Sequence, residues 1–211
     1  MATKLDIFSD PICPWCYIGK ARLEAALEQR PNHPFVIEWH PFMLNPSMPP
    51  EGMDRREYME ARFGGAEALV KAYLPVQQAA EAAGLPFDLG GIKRAPSTLD
   101  AHRLIHWAAL EGRQSAVVSA LFRAYFAEGR DIGDAAVLSD IAAASGLDAA
   151  MIARLLASDA DVQEIRERDA MIRERGLRGV PGFLIARQYV LNGAQPTETW
   201  LSLIDDLAAS A

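Results

Sequence analysis

Two cysteines, Cys13 and Cys16, are all that this chain of 211 residues contains, and they closely follow the apolar run at residues 5–8. Such a run predicts a buried strand. Pro14, followed by helix-compatible residues as far as residue 27, predicts a helix that begins between the cysteines. The free N–H groups and the positive dipole end of a helix N-terminus favour an anion. We therefore predict that Cys13 is a reactive thiolate held by a strand–helix unit.

A cysteine pair at this spacing has three common uses. A structural zinc site needs about four nitrogen or sulfur ligands, and His102 and His106 would have to supply the other two from a distant part of the chain. A permanent disulfide across so short a loop removes little unfolded-state entropy and would stabilise the fold little. A redox-active pair is the leading interpretation, and we expect neither a metal nor another cofactor.

The chain is acidic, with a net charge of -7 and a sequence pI of about 5.1. Proteins that bind nucleic acid or anionic membranes need a basic face, so this charge argues against both partners. The N-terminus shows no basic segment followed by an apolar one, and no run of about 18 apolar residues occurs. We therefore expect a cytoplasmic protein, a compartment in which two cysteines favour a cycling pair over a permanent disulfide.

Strand patterns occur near both ends of the chain. Residues 35–40 alternate between two faces after the first helix, so the first two strands should be parallel neighbours joined by that helix. Residues 182–186 and 189–193, separated by Arg187 and Gln188, predict a tight antiparallel hairpin, and a closing helix follows Pro196. Together these elements predict a four-stranded mixed sheet flanked by helices, an α/β architecture.

The long middle of the chain has helical periodicity throughout, with six or seven helices and Asp134 and Asp148 as N-caps. It is far longer than the dozen or so residues that a crossover between strands needs. We therefore predict an all-helical insertion between the second and third strands, with a core of its own, that packs over the cysteines. The boundaries are residues 1–50 and 176–211 for the sheet domain and 51–175 for the inserted subdomain.

Five segments together carry a family signal: residues 10–20, 39–46, 101–104, 179–183 and 192–196. They resemble the DsbA-like thiol oxidoreductases of the thioredoxin superfamily, and in particular the FrnE-type branch. The resemblance implies a thioredoxin fold with a helical insertion. It also implies that one cysteine of the pair attacks, that the other resolves, and that a cis peptide bond faces them.

The resemblance assigns these roles to Cys13, Cys16 and the Val180–Pro181 bond. The residues themselves agree on the first two, because Cys13 should lie exposed at the helix start and Cys16 more shielded, one turn further in. A cis bond at Pro181 would turn the Val180 backbone toward a substrate peptide, which could pair with it like an added strand.

Several residues around the pair are candidates for contacts with the substrate. Pro14 and Trp15, together with Val180 and Pro181, form the predicted substrate-binding set. Trp39, Phe42 and Met43 are further candidates for an apolar groove, although core packing is the alternative for each. His40 and His102 are candidates for assisting the thiols, against the commoner role of a structural histidine.

The leading functional hypothesis is a thiol–disulfide oxidoreductase that acts through a mixed disulfide, with its direction as oxidase, reductase or isomerase left open by the sequence. Its partners would be thiols or disulfides of proteins or small molecules, glutathione included, and a homodimer through the insertion is a further expectation. One alternative is a glutathione-dependent isomerase or transferase, similar to the 2-hydroxychromene-2-carboxylate isomerases and kappa-class glutathione transferases. Those families typically carry serine at the position of Cys13. The other alternative is a non-enzymatic adaptor whose cysteines sense redox state.

Overall fold

The computed structural model describes residues 2–209. Within them, no helix combines the length and the hydropathy needed to cross a membrane. The elements in chain order are β1 Thr3–Ser9, α1 Pro14–Gln29, β2 Phe35–Pro41, β3 Met53–Asp54, α2 Arg55–Phe63, α3 Ala66–Ala82, β4 Arg94–Ala95, α4 Leu99–Leu110, α5 Gln114–Phe126, α6 Ala135–Ala144, α7 Ala149–Leu156, α8 Val162–Glu174, β5 Gly182–Ile185, β6 Tyr189–Asn192 and α9 Thr197–Ala209.

The main sheet has four strands in the order β2-β1-β5-β6. β1 and β2 are parallel, as the helical connection between them requires, and their register pairs Thr3 with Phe35 and Ser9 with Pro41. β1 pairs with β5, and β5 with β6, in the antiparallel sense. The predicted mixed four-stranded sheet is therefore confirmed, and it places the carboxyl end of β1 next to the start of β5.

Helix α1 begins where the sequence predicted. Pro14 occupies the first turn, and Cys13 is the N-cap residue in an extended conformation with φ -86° and ψ 113°. Proline is well suited to this position because its missing N–H would have no helical partner there. The Cys13 carbonyl accepts the first helical bond, from Tyr17 N at 3.2 Å. The two cysteines therefore flank the first turn of one helix.

The segment between β2 and β5 contains α2 to α8, seven helices within the described residues, which agrees with the predicted number. Asp134 and Asp148 cap α6 and α7 with their side chains, also as predicted. The expectation of an all-helical insertion is wrong in one respect, because β3 and β4 pair as a small antiparallel sheet. Each of these strands has two residues, too few for any alternation of side chains to be recognised in the sequence.

The expectation of a separate core in the insertion is also wrong. One continuous cluster of buried side chains contains Leu5 and Trp200 from the sheet side as well as Phe122 and Phe126 from α5. Tyr17 of α1 joins them, because its ring stacks on Phe122 at 5.2 Å and on Phe126 at 5.6 Å between centroids. The helix that carries the cysteines is thus packed between the sheet and the insertion.

Candidate active site

Both cysteines are free thiols, and both are buried. Cys13 is 4% exposed and Cys16 is 2% exposed, so the expectation that Cys13 lies openly at the helix start is wrong. The insertion explains the difference, because side chains of α2 and α3 cover the helix start and leave a cavity there. Cys13 N donates to the Asp10 carbonyl at 2.9 Å, and Cys16 N donates to the Cys13 carbonyl at 3.1 Å. These bonds fix the geometry of the pair.

The electrostatic environment of Cys16 favours its neutral form. Burial raises the pKa of the Cys16 thiol, and its hydrogen bond to Cys13 and the charge of Cys13 raise the pKa further. The Ser9 side chain and the Asp10 backbone act in the opposite direction, with smaller effect. Cys16 is therefore a thiol that donates toward Cys13.

The loop before β5 lies against the cysteines. The Val180–Pro181 peptide bond is cis, and the Cys13 thiol donates to the Val180 carbonyl oxygen at 3.6 Å. Gly19, on the next turn of α1, makes this approach possible. A Cβ there would lie 3.2 Å from Pro181 Cγ and 3.3 Å from the Cα of Ala194. The sequence contained a hint of this role, since Gly19 is an otherwise unfavourable residue inside a predicted helix.

A cavity of about 340 Å³ opens at Cys13, between the cysteine turn and the insertion. Its lining includes three residues of the predicted substrate-binding set, Pro14, Trp15 and Val180, and it is largely apolar and aromatic. Pro181 lies instead in a neighbouring groove of about 690 Å³, of which Val180 also forms part of the wall. The insertion contributes the side chains of Arg55, Tyr58, Met59, Arg62, Phe63, Tyr73 and Val76.

Other candidate residues from the sequence lie elsewhere. Trp39, Phe42 and Met43 are at most 4% exposed and are core residues, not groove residues. The His40 imidazole contacts the Asp6 carboxylate at 2.6 Å and the Arg168 guanidinium at 3.0 Å. His102 is buried within the protein, and its Nε2 has no hydrogen-bond partner among the described residues.

The zinc alternative does not fit this geometry. In residues 2–209, two groups of potential ligands come within 4.8 Å of one another: Asp6 with Glu38 and His40, and His106 with Asp161 and Glu164. Neither group contains a cysteine. Cys13 and Cys16 are therefore not assembled with His102 and His106, and those four residues cannot form the proposed site.

Sequence reasoning missed a buried carboxyl group next to the cysteines. The Asp10 carboxylate accepts from Ile12 N at 3.2 Å, Leu44 N at 2.6 Å and the Thr98 hydroxyl at 3.4 Å. It thereby joins the cysteine turn to the loop after β2 and to the start of α4. Burial raises the pKa of Asp10 to about 7, against the lowering effect of these three donors. The signal available in the sequence was Asp10 itself, a short acidic residue just before the cysteine pair.

Comparisons with known proteins agree with this fold. The chain matches the family model of the DSBA-like thioredoxin domain over residues 4–205. It is 27% identical over 212 residues to the uncharacterized protein YwbO of Bacillus subtilis, covering 98% of each chain. A probable DsbA oxidoreductase from Streptomyces coelicolor matches with TM-score 0.86 and 31% identity, over 99% of this chain and 91% of that one. The cytosolic disulfide reductase DsbM from Pseudomonas aeruginosa with GSH matches with TM-score 0.69 and 21% identity, over 98% and 99%. The chain therefore belongs to the DSBA-like thioredoxin domain family.

Proposed function

We propose that this protein is a thiol–disulfide oxidoreductase in which Cys13 is the attacking thiol and Cys16 the resolving thiol. One observation carries the proposal. Cys13 caps the N-terminus of α1 in the wall of a cavity, with Cys16 as a protonated donor directly behind it. A helix N-terminus and a thiol donor both stabilise the thiolate that exchange chemistry needs.

The proposed reduction of a substrate disulfide runs in two steps. The Cys13 thiolate attacks one substrate sulfur, so a Cys13–substrate disulfide forms, the substrate S–S bond breaks, and the departing thiolate takes up a proton. Cys16 then loses its proton and attacks the Cys13 sulfur. The Cys13–Cys16 disulfide forms and the second substrate thiolate leaves. Two electrons pass from the protein to the substrate, and the same steps in reverse oxidise a substrate dithiol.

The remaining residues of the site have supporting roles in this proposal. Trp15 is 37% exposed beside Cys13 and offers an apolar surface to the groups next to the substrate sulfur. The Val180 carbonyl, which accepts from Cys13 in the free protein, becomes available to an extended substrate once Cys13 is in a mixed disulfide. Pro14 and Pro181 shape the turn and the loop that present these groups.

Two cysteine variants test the proposal. Cys13→Ser should abolish insulin reduction, because no thiolate remains to attack. Cys16→Ser should accumulate a mixed disulfide at Cys13, visible by intact-mass spectrometry, because nothing resolves it. Arg154→Gln changes an exposed arginine of α7 outside the cavity and serves as a control that retains both steps. Normal turnover by Cys16→Ser would rule out the dithiol mechanism.

We further propose that the protein lies on the FrnE-type branch, acts in the cytoplasm and accepts glutathione among its small thiols. A fold shared with a cytosolic reductase solved with GSH supports the last two points. The competing glutathione-dependent isomerase would need no second thiol, so its activity would survive in Cys16→Ser. An adaptor would show neither activity. A homodimer stays a prediction that sedimentation can test.

A further inference from the structure

A buried guanidinium group without a negative partner lies in the wall of the cysteine cavity. Arg55, the first residue of α2, is 7% exposed. Its Nη1 donates to the Tyr125 hydroxyl at 2.9 Å, and its Nη2 donates to the Tyr73 hydroxyl at 2.8 Å. Burial raises the pKa of both tyrosines, so both phenols are neutral. Within residues 2–209, no carboxylate forms an ion pair with Arg55.

Keeping a charged guanidinium in this state is unfavourable. Removal of an ion from water costs several kcal/mol unless an opposite charge or strong hydrogen bonds replace the solvent. The two neutral phenols, whose ring centroids each lie 5.8 Å from the guanidinium carbon, compensate only in part. A site of this kind gains free energy when an anion enters, and the planar fork of arginine matches the two oxygens of a carboxylate.

The rest of the cavity points to the same kind of ligand. Arg62 and Arg178 also belong to its lining, and both are exposed with no acidic partner in the described part of the chain. The lining contains three arginines and no aspartate or glutamate, although the whole chain carries a net charge of -7. The lining of the cavity is therefore net positive in a chain that is net negative.

Size and surface chemistry narrow the ligand further. A volume of about 340 Å³ is at the lower end of ordinary small-molecule sites. Met59, Phe63 and Val76 line the space between the helix start and α3, so apolar carbons of a ligand would be covered there. A small molecule with a thiol or disulfide at one end and an acid group at the other fits both halves of this lining.

We propose that the site acts on small thiols and disulfides that carry a carboxylate, and that Arg55 binds this carboxylate while the substrate sulfur meets Cys13. The inference rests on the proposed oxidoreductase function and specifies its substrate class. Arg62 and Arg178 attract the anion at the entrance, and Arg55 pairs with it inside. No additional reactant is needed, because the exchange steps are those already described.

Three disulfides of similar skeleton and different charge test the proposal: dithiodipropionate, hydroxyethyl disulfide and cystamine, which are anionic, neutral and cationic. Single-turnover reduction by the dithiol protein is followed for each at low salt. Each rate is divided by the rate of the same disulfide with free dithiothreitol, which removes intrinsic reactivity. We expect the normalised rate of the anionic compound to exceed that of the neutral one about tenfold, and cystamine to be slowest.

Variants then locate the effect. Arg55→Gln should bring the ratio of anionic to neutral rates to within about twofold of unity, and Arg55→Lys should retain part of it because charge is kept and the fork is lost. Arg154→Gln is the matched control, since Arg154 is an exposed arginine on α7 outside this cavity. If Arg55→Gln does not fold, the parent is alkylated at Cys13 with iodoacetate and iodoacetamide. The ratio of the alkylation rate with iodoacetate to that with iodoacetamide should then be higher for Cys13 than for a free thiol.

The outcomes separate the two proposals. If none of the three disulfides reacts while insulin is reduced, the carboxylate inference is overturned and thiol–disulfide exchange stands; if insulin is not reduced either, the oxidoreductase function itself fails. The carboxylate inference is overturned, while thiol–disulfide exchange stands, if the three disulfides react with the protein in the same order of rates as with dithiothreitol. The same holds if Arg55→Gln keeps the parent's ratio of anionic to neutral rates. A ratio of iodoacetate to iodoacetamide rates equal to that of a free thiol would overturn the carboxylate inference in the same way.

Discussion

Two regions of the molecule each hold a buried arginine: the contact of α4 with α7 and α8, and the wall of the cysteine cavity. Only the arginine in the first region is fully partnered. Arg103 is 2% exposed. It donates at 2.7 Å to the Asp100 carboxylate and at the same distance to the carbonyls of Ala160, Leu155 and Ser158. Every side of this guanidinium therefore meets an acceptor, and it connects α4 to the chain between α7 and α8.

The cysteine region contains the same types of charge without pairing them. Arg55 meets two phenols, and Asp10 meets two backbone N–H groups and a hydroxyl. Neither group forms an ion pair with the other, although both act electrostatically on Tyr125. Buried ion pairs that are complete hold elements together, whereas incomplete ones persist where a site needs a charge for binding or reaction. The predictions below test this distinction, from the largest expected effect to the smallest.

Removal of Arg103 should have the largest effect on stability. Arg103→Met leaves three carbonyls and a carboxylate without their donor, and we expect the free energy of unfolding in urea to fall by about 3–5 kcal/mol. Arg55→Met is the comparison variant, and it should cost only about 1–2 kcal/mol because each phenol loses a single hydrogen bond. Equal losses from the two variants would show that Arg55 is a structural residue, and the distinction would collapse.

The parts of the fold that were predicted correctly are those with local signals. Pro14 sets the start of α1, and the Asp134 and Asp148 side chains accept from backbone amides two and three residues later, so a few residues of sequence suffice. The hairpin of β5 and β6 was predicted for the same reason. The burial of Cys13 was missed because it depends on α2 and α3, which approach the pair only in the folded chain.

The charged residues of the site were the least predictable part. Arg55 stands among other charged residues at the start of a helix, and its sequence neighbours suggest a solvated surface. It is buried because Tyr73 of α3 and Tyr125 of α5 come to it from 18 and 70 residues away. Asp10 is similar, since Leu44 and Thr98 complete its environment. No periodicity in the sequence encodes such contacts.

Asp10 should give the next largest effect, as a dependence of stability on pH. Its carboxyl has a pKa of about 7 when folded against 3.8 as the ordinary value. The raised value means that its contribution to stability is complete below pH 3.8 and is lost as the pH rises through 7. The loss amounts to about 1.4 kcal/mol per pH unit, or roughly 3 kcal/mol between pH 4.5 and pH 6.5.

Asp10→Asn removes this contribution. The difference in unfolding free energy between parent and variant, measured in urea at several pH values, should therefore move in favour of the variant as the pH rises. Asp205→Asn is a suitable control, because Asp205 is an exposed carboxylate paired with Arg30, and that pairing lowers its pKa. If the unfolding free energies of the parent and Asp10→Asn depended on pH in parallel, Asp10 would be compensated by a partner. That result would contradict the contrast drawn between the cysteine region and the Arg103 region.

At pH 5 and above, His102 should give the smallest of these effects, with the opposite sign. It lies beside Arg103 on α4, yet its Nε2 has no partner among the described residues. Burial, and then the charge of Arg168, lower its pKa to about 3 from 6.5. Its contribution to stability is present above pH 6.5 and is lost as the pH falls toward 3, amounting to about 2 kcal/mol at pH 5. His102→Leu should flatten the acid side of the stability curve by this amount, whereas Asp10→Asn should steepen it. If the acid side of the stability curve were unchanged in His102→Leu, the imidazole would take up its proton without unfolding. The α4 region would then be less complete in its polar contacts than Arg103 indicates.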